Sequence, residues 1–176
     1  MADRRAAVAA VAEPFRRWCD DLGLTGDPAL RYRPRSKAGT VDELAAELRE
    51  RIDGDLERGF TGHGPHRDDL ATSREGHELR AYGSQGQQRL GLLALLLAER
   101  DALAVYRQTP PLLLLDDVMS ELDRQRRRAL VDLLRATPGQ SVITATDLDQ
   151  VPGAQEPGVT RLAVTEGRVL AEAVAA

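Results

Sequence analysis

Apolar side chains at Val8, Val11, Phe15, Trp18, Cys19 and Leu22 recur at the spacing of one helical face, which predicts a helix over residues 3–22. Pro14 lies inside it and predicts a kink or a division into two short helices, because proline removes a backbone donor and clashes with the preceding turn. "ALRYRP" (29–34) reads as a short strand ended by its proline. Thr40 followed by Glu43 is a capping box, and the stripe Val41, Leu44, Ala45, Leu48, Ile52 and Leu56 predicts a helix over 41–58. Residues 59–87 are loop-rich, with a hairpin turning at "REG". From 87 to 107 the pattern is helical but apolar nearly all round its middle, the signature of a helix buried inside a domain. Residues 112–115 are four leucines between prolines and acids, which predicts a central strand covered on both faces. A polar-faced helix over 121–136, a strand over 140–145 and a hairpin around Glu166-Gly167 complete the pattern. Helix, strand, helix, strand between 85 and 145 predicts an α/β fold with at least two parallel strands.

Composition narrows this picture only slightly. The 176 residues suffice for one globular domain with an appendage, and 3% aromatic content leaves few rings for stacking on bases. A net charge of −4 does not advertise nucleic-acid binding, although a local basic face is compatible with it. Cys19 is the single cysteine, so no internal disulfide forms, and no stretch is apolar and long enough for a membrane span or a signal-like core. The expectation is a cytosolic protein without membrane association. Lys37 is the only lysine among 24 basic residues, a bias toward arginine that lowers the weight of any single Arg.

Candidate chemistry sits at two places. Asp116 and Asp117 directly follow the leucine strand, where ligands bind in open α/β sheets. A partly buried carboxylate there calls for a cation. Mg²⁺ bound together with nucleotide phosphates meets that need, with Asp116 on the metal side and Asp117 orienting or deprotonating a water. The competing reading, a pair that only caps the next helix, is about as strong when the pair is taken alone. The second place is "YGSQGQQRLGLLALL", where Ser84, Gly86 and Gln87 open the apolar helix and its free N–H groups make an anion site. Alone it reads more simply as a glycine-containing N-cap.

Together these stretches resemble a family. "GSQGQQ" is similar to the signature loop of ABC-type ATPases, "LLLLDD" to their Walker B strand, and "SELD" to the D-loop. "TGHGPHRDDL" (61–70), "GSQGQQRLGLLALLLAE" and the terminal "VTEGRVL" resemble the RecF family of bacterial recombination-repair ATPases, related to SMC heads. The resemblance covers residues 59–172 and implies the C-terminal lobe of an ABC/SMC-like ATPase head over 59–176: parallel strands, flanking helices and a terminal β-hairpin. Residues 1–58 would be the remnant of a helical arm, with its short strand and capped helix. By that resemblance Ser84, Gly86 and Gln87 contact the γ-phosphate of ATP held by a partner subunit, and Asp116 holds Mg²⁺ through its water shell. Asp117 stands at the hydrolytic carboxylate, Glu in most ABC ATPases. Ser120, Glu121 and Asp123 would line the dimer interface. His66 and Arg67 would lie beside the nucleotide or transmit its state. Where the ABC pattern has a switch histidine this chain has "TATD", with Thr144 and Thr146 as substitutes. The implied partners are duplex DNA near single-strand gaps, a second copy in an ATP-dependent homodimer, and recombination mediator proteins, with roles in DNA repair, replication and the SOS response.

The chief departure is the absent P-loop. G-x-x-x-x-G-K-[ST] requires a lysine, and Lys37 follows "RYRPRS" with no glycine pattern before it. ATP and Mg²⁺ would therefore both require an N-terminal lobe, and the chain is not expected to hydrolyse ATP alone. Two alternatives stand beside this reading: a non-catalytic protein-interaction module with the same fold, and the head of another SMC-like ATPase. ATP-dependent dimerisation on adding a P-loop lobe discriminates the first from an ATPase. His63 and His66 with Asp68 and Asp69 lack the helical spacing of zinc pairs, and structural hydrogen bonds are the stronger reading. "RQRRR" (124–128) and Arg31, Arg33 and Arg35 read more simply as a solvated helix face and an edge strand than as DNA contacts.

Overall fold

The computed structural model describes residues 2–171. The chain divides into two compact units, Met1–Gln108 and Thr109–Ala176, each with buried apolar residues of its own.

In the first unit α1 (Ala2–Asp21) is one helix that runs through Pro14. Of the two expected outcomes, a kink or a division into two helices, the division does not occur. Every buried side chain of its face lies after the proline: Phe15, Trp18 and Cys19, followed by Leu22 just past its end. Their burial against α5 (Gln85–Arg107) and β1 (Ala29–Arg33), roughly 1.5–3 kcal/mol for each large side chain, offsets the ~3 kcal/mol that an interior proline costs. Asp101 of α5 ties the two helices further, accepting hydrogen bonds from Trp18 Nε1 at 2.8 Å and Arg17 Nη2 at 2.7 Å.

β1 (Ala29–Arg33) pairs antiparallel with β2 (Asp69–Arg74), in register from Ala29 opposite Ser73 to Arg33 opposite Asp69. Between them the expected single helix over 41–58 is two, α2 (Val41–Glu50) and α3 (Ile52–Arg58). The capping box is present, with Thr40 Oγ1 accepting from Glu43 N and Glu43 Oε2 accepting from Thr40 N. The break falls at Arg51, whose N–H bonds back to Leu48 O as a tightened last turn. Gly54, just beyond it, weakens helix continuity. Neither helix buries a residue, and Val41 (83% exposed) and Leu56 (73%) leave the apolar stripe uncovered.

β2 turns at Glu75-Gly76, both at positive φ, into β3 (His77–Glu78). The short α4 (Leu79–Tyr82) follows, then α5 (Gln85–Arg107). α5 buries Leu90, Leu93, Ala94, Leu97 and Ala98 on one side but exposes Leu92 and Leu96 on the other. The expected burial all round is therefore corrected to one face.

The second unit holds a parallel pair, β4 (Leu113–Leu115) with β5 (Ser141–Ile143), joined through α6 (Arg124–Ala136). α6 begins three residues later than expected because Asp123 caps it, accepting from Arg126 N at 2.9 Å, while 118–121 form a separate 3₁₀ turn. Leu113 and Leu115 are buried, but Leu114 and its partner Val142 are exposed with Leu112, so the strand expected to be covered on both faces is covered on one. β6 (Leu162–Thr165) and β7 (Arg168–Ala171) form the expected hairpin around Glu166-Gly167. Among the described residues no helix is long and apolar enough to cross a membrane.

Candidate nucleotide site

The acid pair lies where the pattern of strands places it, immediately beyond the C-terminal end of β4. β4 and β5 run parallel, so residues after β5 emerge at the same edge. There Thr144 N donates to Leu115 O at 3.0 Å, extending the ladder by one bond. That bond fixes the threonine hydroxyl between the two acids: Thr144 Oγ1 donates to Asp116 Oδ1 at 2.5 Å and accepts from Asp117 N at 2.9 Å. One hydroxyl thus satisfies a carboxylate of one residue and the backbone of the next. Thr144 was legible as a candidate at this position. Its direct bridge to Asp116 was not.

Asp117 sits in the left-handed region at φ 48°, ψ 24°, a conformation that aspartate tolerates better than most residues. Ser120 Oγ donates to its Oδ2 at 2.9 Å and approaches its carbonyl oxygen at 2.8 Å. The expected D-loop serine is therefore hydrogen-bonded to the expected hydrolytic acid. Both acids are exposed, contrary to the partial burial expected of them, because nothing among the described residues covers this edge. Asp123 is occupied as the α6 cap and by Arg126 Nη1 at 2.9 Å, and Glu121 ends the 3₁₀ turn. Thr146 is not drawn to the acids; its Oγ1 meets Gln150 Nε2 at 3.5 Å.

In the first unit Ser84 is the N-cap of α5. Its Oγ accepts from Gln87 N at 3.3 Å, and Gln87 Oε1 accepts from Ser84 N at 2.9 Å. This reciprocal box uses two of the groups that the sequence offered to an anion. The N–H groups of Gln85 and Gly86 have no hydrogen-bond partner among the described residues, as the first turn of a helix requires. Gly86 has open space where a Cβ would stand. The turn is thus exposed, preformed and half satisfied.

His66 and Arg67 belong to a 3₁₀ turn (Pro65–Arg67) and both face Thr61 O, His66 Nε2 at 3.0 Å and Arg67 Nε at 3.3 Å. His63 instead meets Glu47 Oε1 at 2.6 Å, so the two loop histidines serve different partners. Asp68, 3% exposed, accepts from Tyr32 Oη, Arg4 and Arg35 N. Burial pushes its pKa up, but these donors together outweigh it and hold the carboxyl below its ordinary range. Asp69 caps its own strand locally, accepting from Leu70 N.

No family model matches the chain. It is 42% identical over 180 residues to the DNA replication and repair protein RecF of Myxococcus xanthus, a match spanning 97% of this chain and 47% of that protein. The chain is a relative of RecF, matching the C-terminal part of that protein. A solved structure described as the recombination mediator protein RecF with ATP, in the RecFOR pathway, superposes with a TM-score of 0.75 at 25% identity. That superposition covers 98% of this chain and 46% of the RecF chain. A structure from work on ATP-driven dimerisation of SMC ATPases matches at a TM-score of 0.57 and 15% identity over 98% of this chain and 89% of its own, a likeness of fold alone. The chain thus has the α/β architecture of RecF and SMC ATPase heads and spans about half the length of the RecF relative it matches.

Proposed function

We propose that this chain is the C-terminal lobe of a RecF-type ATPase head, acting in DNA repair and replication through an ATP-dependent homodimer on duplex DNA. The observation that carries the reading is the Thr144 hydroxyl, bonded at once to Asp116 and Asp117 at the open end of a parallel strand pair. An acid pair that only capped a helix would have no need of that bridge, and in this structure the α6 cap is Asp123.

In this reading the roles divide by atom. Asp116 keeps Oδ2 without a hydrogen bond among the described residues, a donor suited to a hydrated Mg²⁺, which when bound would neutralise charge on the nucleotide phosphates. Asp117, with Oδ2 held by Ser120, keeps Oδ1 to orient and deprotonate the attacking water. Thr144 positions both acids and stands for the switch residue; a one-bond shift of β5 moves it from them. The unpaired N–H groups of Gln85 and Gly86 at the α5 dipole receive the γ-phosphate of ATP held by the second copy, with Ser84 and Gln87 shaping the turn. Ser120, Glu121 and Asp123 face the dimer interface, and His66 and Arg67 relay its state to the arm, residues 1–58. The P-loop comes from an N-terminal lobe, and mediator proteins and gapped duplex DNA are the partners.

The test joins this chain to the P-loop lobe of a RecF relative and measures magnesium-dependent ATP turnover. Asp117→Asn lowers it by about 10²–10⁴-fold, the range of general-base removal. Thr144→Val lowers it with the fold retained by circular dichroism. Unchanged turnover in Asp117→Asn overturns the assignment, as does magnesium-dependent turnover by this chain alone that Asp116→Ala abolishes.

A further inference from the structure

The first unit carries a cleft of about 340 Å³ that the acid-pair site does not use, its lining including Arg35, Arg51, Arg58, Asp55, Phe60 and His63. That volume lies at the lower end of the range for small-molecule pockets, roughly 300–1,000 Å³. Its arginines come from separate places in the chain. Arg35 follows the end of β1, where its N–H is fixed on Asp68 Oδ1 at 2.9 Å; Arg51 stands at the break between α2 and α3; Arg58 lies in the last turn of α3. Two carboxylates gather the donors around the hollow. Arg51 and His63 both approach Glu47 Oε1, at 3.9 Å and 2.6 Å, while Arg58 Nη2 and the Gly62 N–H both donate to Asp55 Oδ1, at 2.8 Å and 3.0 Å. The donors are therefore clustered, not strung along a line. The Gly62 N–H foremost, then Arg58, holds the Asp55 carboxyl below its ordinary range; the Ser36 hydroxyl foremost, then His63, does so for Glu47. Both acids stay charged, and the guanidiniums still outnumber them. Arg51 has only the long contact to Glu47, and the Arg35 guanidinium makes no ion pair among the described residues. Phe60 in the lining is half exposed, with the Arg67 guanidinium 5.1 Å from its centroid.

A surplus of half-exposed guanidiniums around a polar hollow suits phosphate oxygens, which match the planar fork in pairs, and suits a wholly apolar ligand poorly. The half-exposed Phe60 ring in the same lining offers a surface on which a base can stack. We propose that this cleft binds a free nucleoside polyphosphate, its phosphates on Arg35 and Arg51 and its base against Phe60, as a second nucleotide separate from the ATP of the acid-pair site. Arg58, already paired with Asp55, frames the hollow and leaves the free charge to the other two. Donors clustered in a hollow of this size favour one small ligand over an extended chain. The net charge of −4 conceals this, because the basic surplus is local.

The test titrates the full chain with ATP and with GTP, without Mg²⁺, by isothermal titration calorimetry, beside inorganic tripolyphosphate and a short DNA duplex. The acid-pair reading requires Mg²⁺ and a P-loop lobe, and neither is present in this experiment, so a failure here leaves that reading standing. Both nucleotides are expected to bind, and R35Q/R51Q weakens them about tenfold or more, as the loss of charge-assisted hydrogen bonds requires. Phe60→Ala weakens both nucleotides about fivefold or more and leaves tripolyphosphate unchanged, because only the base meets the ring. Arg128→Gln, whose side chain pairs with Asp132 and Glu156, changes nothing. Should the double variant fail to fold, Arg35→Gln alone lowers nucleotide affinity about fivefold. Wild-type affinity in the glutamine variants, or no binding of either nucleotide at millimolar concentration, overturns the proposal. So does tripolyphosphate binding as tightly as the nucleotides, which would make the cleft a site for bare polyphosphate, and so does binding of the duplex without any binding of free nucleotide.

Discussion

Gly86→Ala separates the structural from the functional demand on the α5 entrance. A Cβ built at Gly86 meets no heavy atom within 4 Å, and the residue is not in the left-handed region, so the added methyl has neither a steric nor a conformational cost. Alanine exceeds glycine in a helix interior by about 0.5–1 kcal/mol. In the first turn, with the capping box of Ser84 and Gln87 intact, the lower end applies, about 0.5 kcal/mol in favour of the variant. With a urea slope of about 1–3 kcal/mol/M, that raises the unfolding midpoint by about 0.2–0.5 M, read by far-ultraviolet circular dichroism. Function should move the other way. The same methyl stands between the Gly86 amide and an approaching γ-phosphate, so the chain completed by a P-loop lobe loses ATP-dependent dimerisation, measured by light scattering after size exclusion. A variant that is more stable and still dimerises with ATP refutes the phosphate contact. A lower midpoint refutes the claim that the glycine is structurally idle.

Three further outcomes test the fold itself. Leu97→Ala, at a fully buried position on the packed face of α5, costs about 2–5 kcal/mol in urea unfolding; a loss below about 1 kcal/mol would mean the α1–α5 contact is not a close-packed core. Asp68 has a folded pKa below its ordinary 3.8, so it contributes stability above that pH, and the contribution is lost as pH falls through the depressed folded value. Wild type should therefore lose stability more steeply below pH 3.8 than Asp68→Asn, and parallel curves of urea midpoint against pH would contradict the Tyr32, Arg4 and Arg35 donors. Burial foremost, with the charge of Asp20, pushes the Cys19 thiol up to about 12, so alkylation by iodoacetamide at pH 8 waits on unfolding; immediate labelling of the native protein would show that α1 is not seated.

Much of this architecture was legible because local patterns and tertiary contacts agree. The capping box at Thr40, β1 and the two hairpins rest on residues within a few positions of one another, and the alternation of strand and helix patterns pointed to the parallel pair around α6. The misses have a common origin in contacts or gaps distant in sequence. Pro14 did not break α1 because the side chains that hold the helix all lie beyond it. The apolar faces of α5 and β4 implied full burial, but Leu92, Leu96 and Leu114 are exposed among the described residues, and a hydrophobic pattern records what a surface requires, not whether this chain supplies it. At the site, motif order placed both acids at the strand end and Ser84 at the helix entrance. The Ser84-x-x-Gln87 spacing is a capping-box pattern that could have shown Gln87 to be spent on the cap, whereas nothing in the sequence showed that Thr144 bridges the acids, since that depends on side-chain geometry.

The twisted backbone at Asp117 constrains which acid can serve there. At φ 48° the short carboxylate of aspartate can fold back onto neighbouring donors, as it does onto Ser120, whereas glutamate gains reach but gives up that local support. Lengthening the side chain by one methylene would thus alter two things together, the reach of the acid and the ease with which the main chain holds its bend.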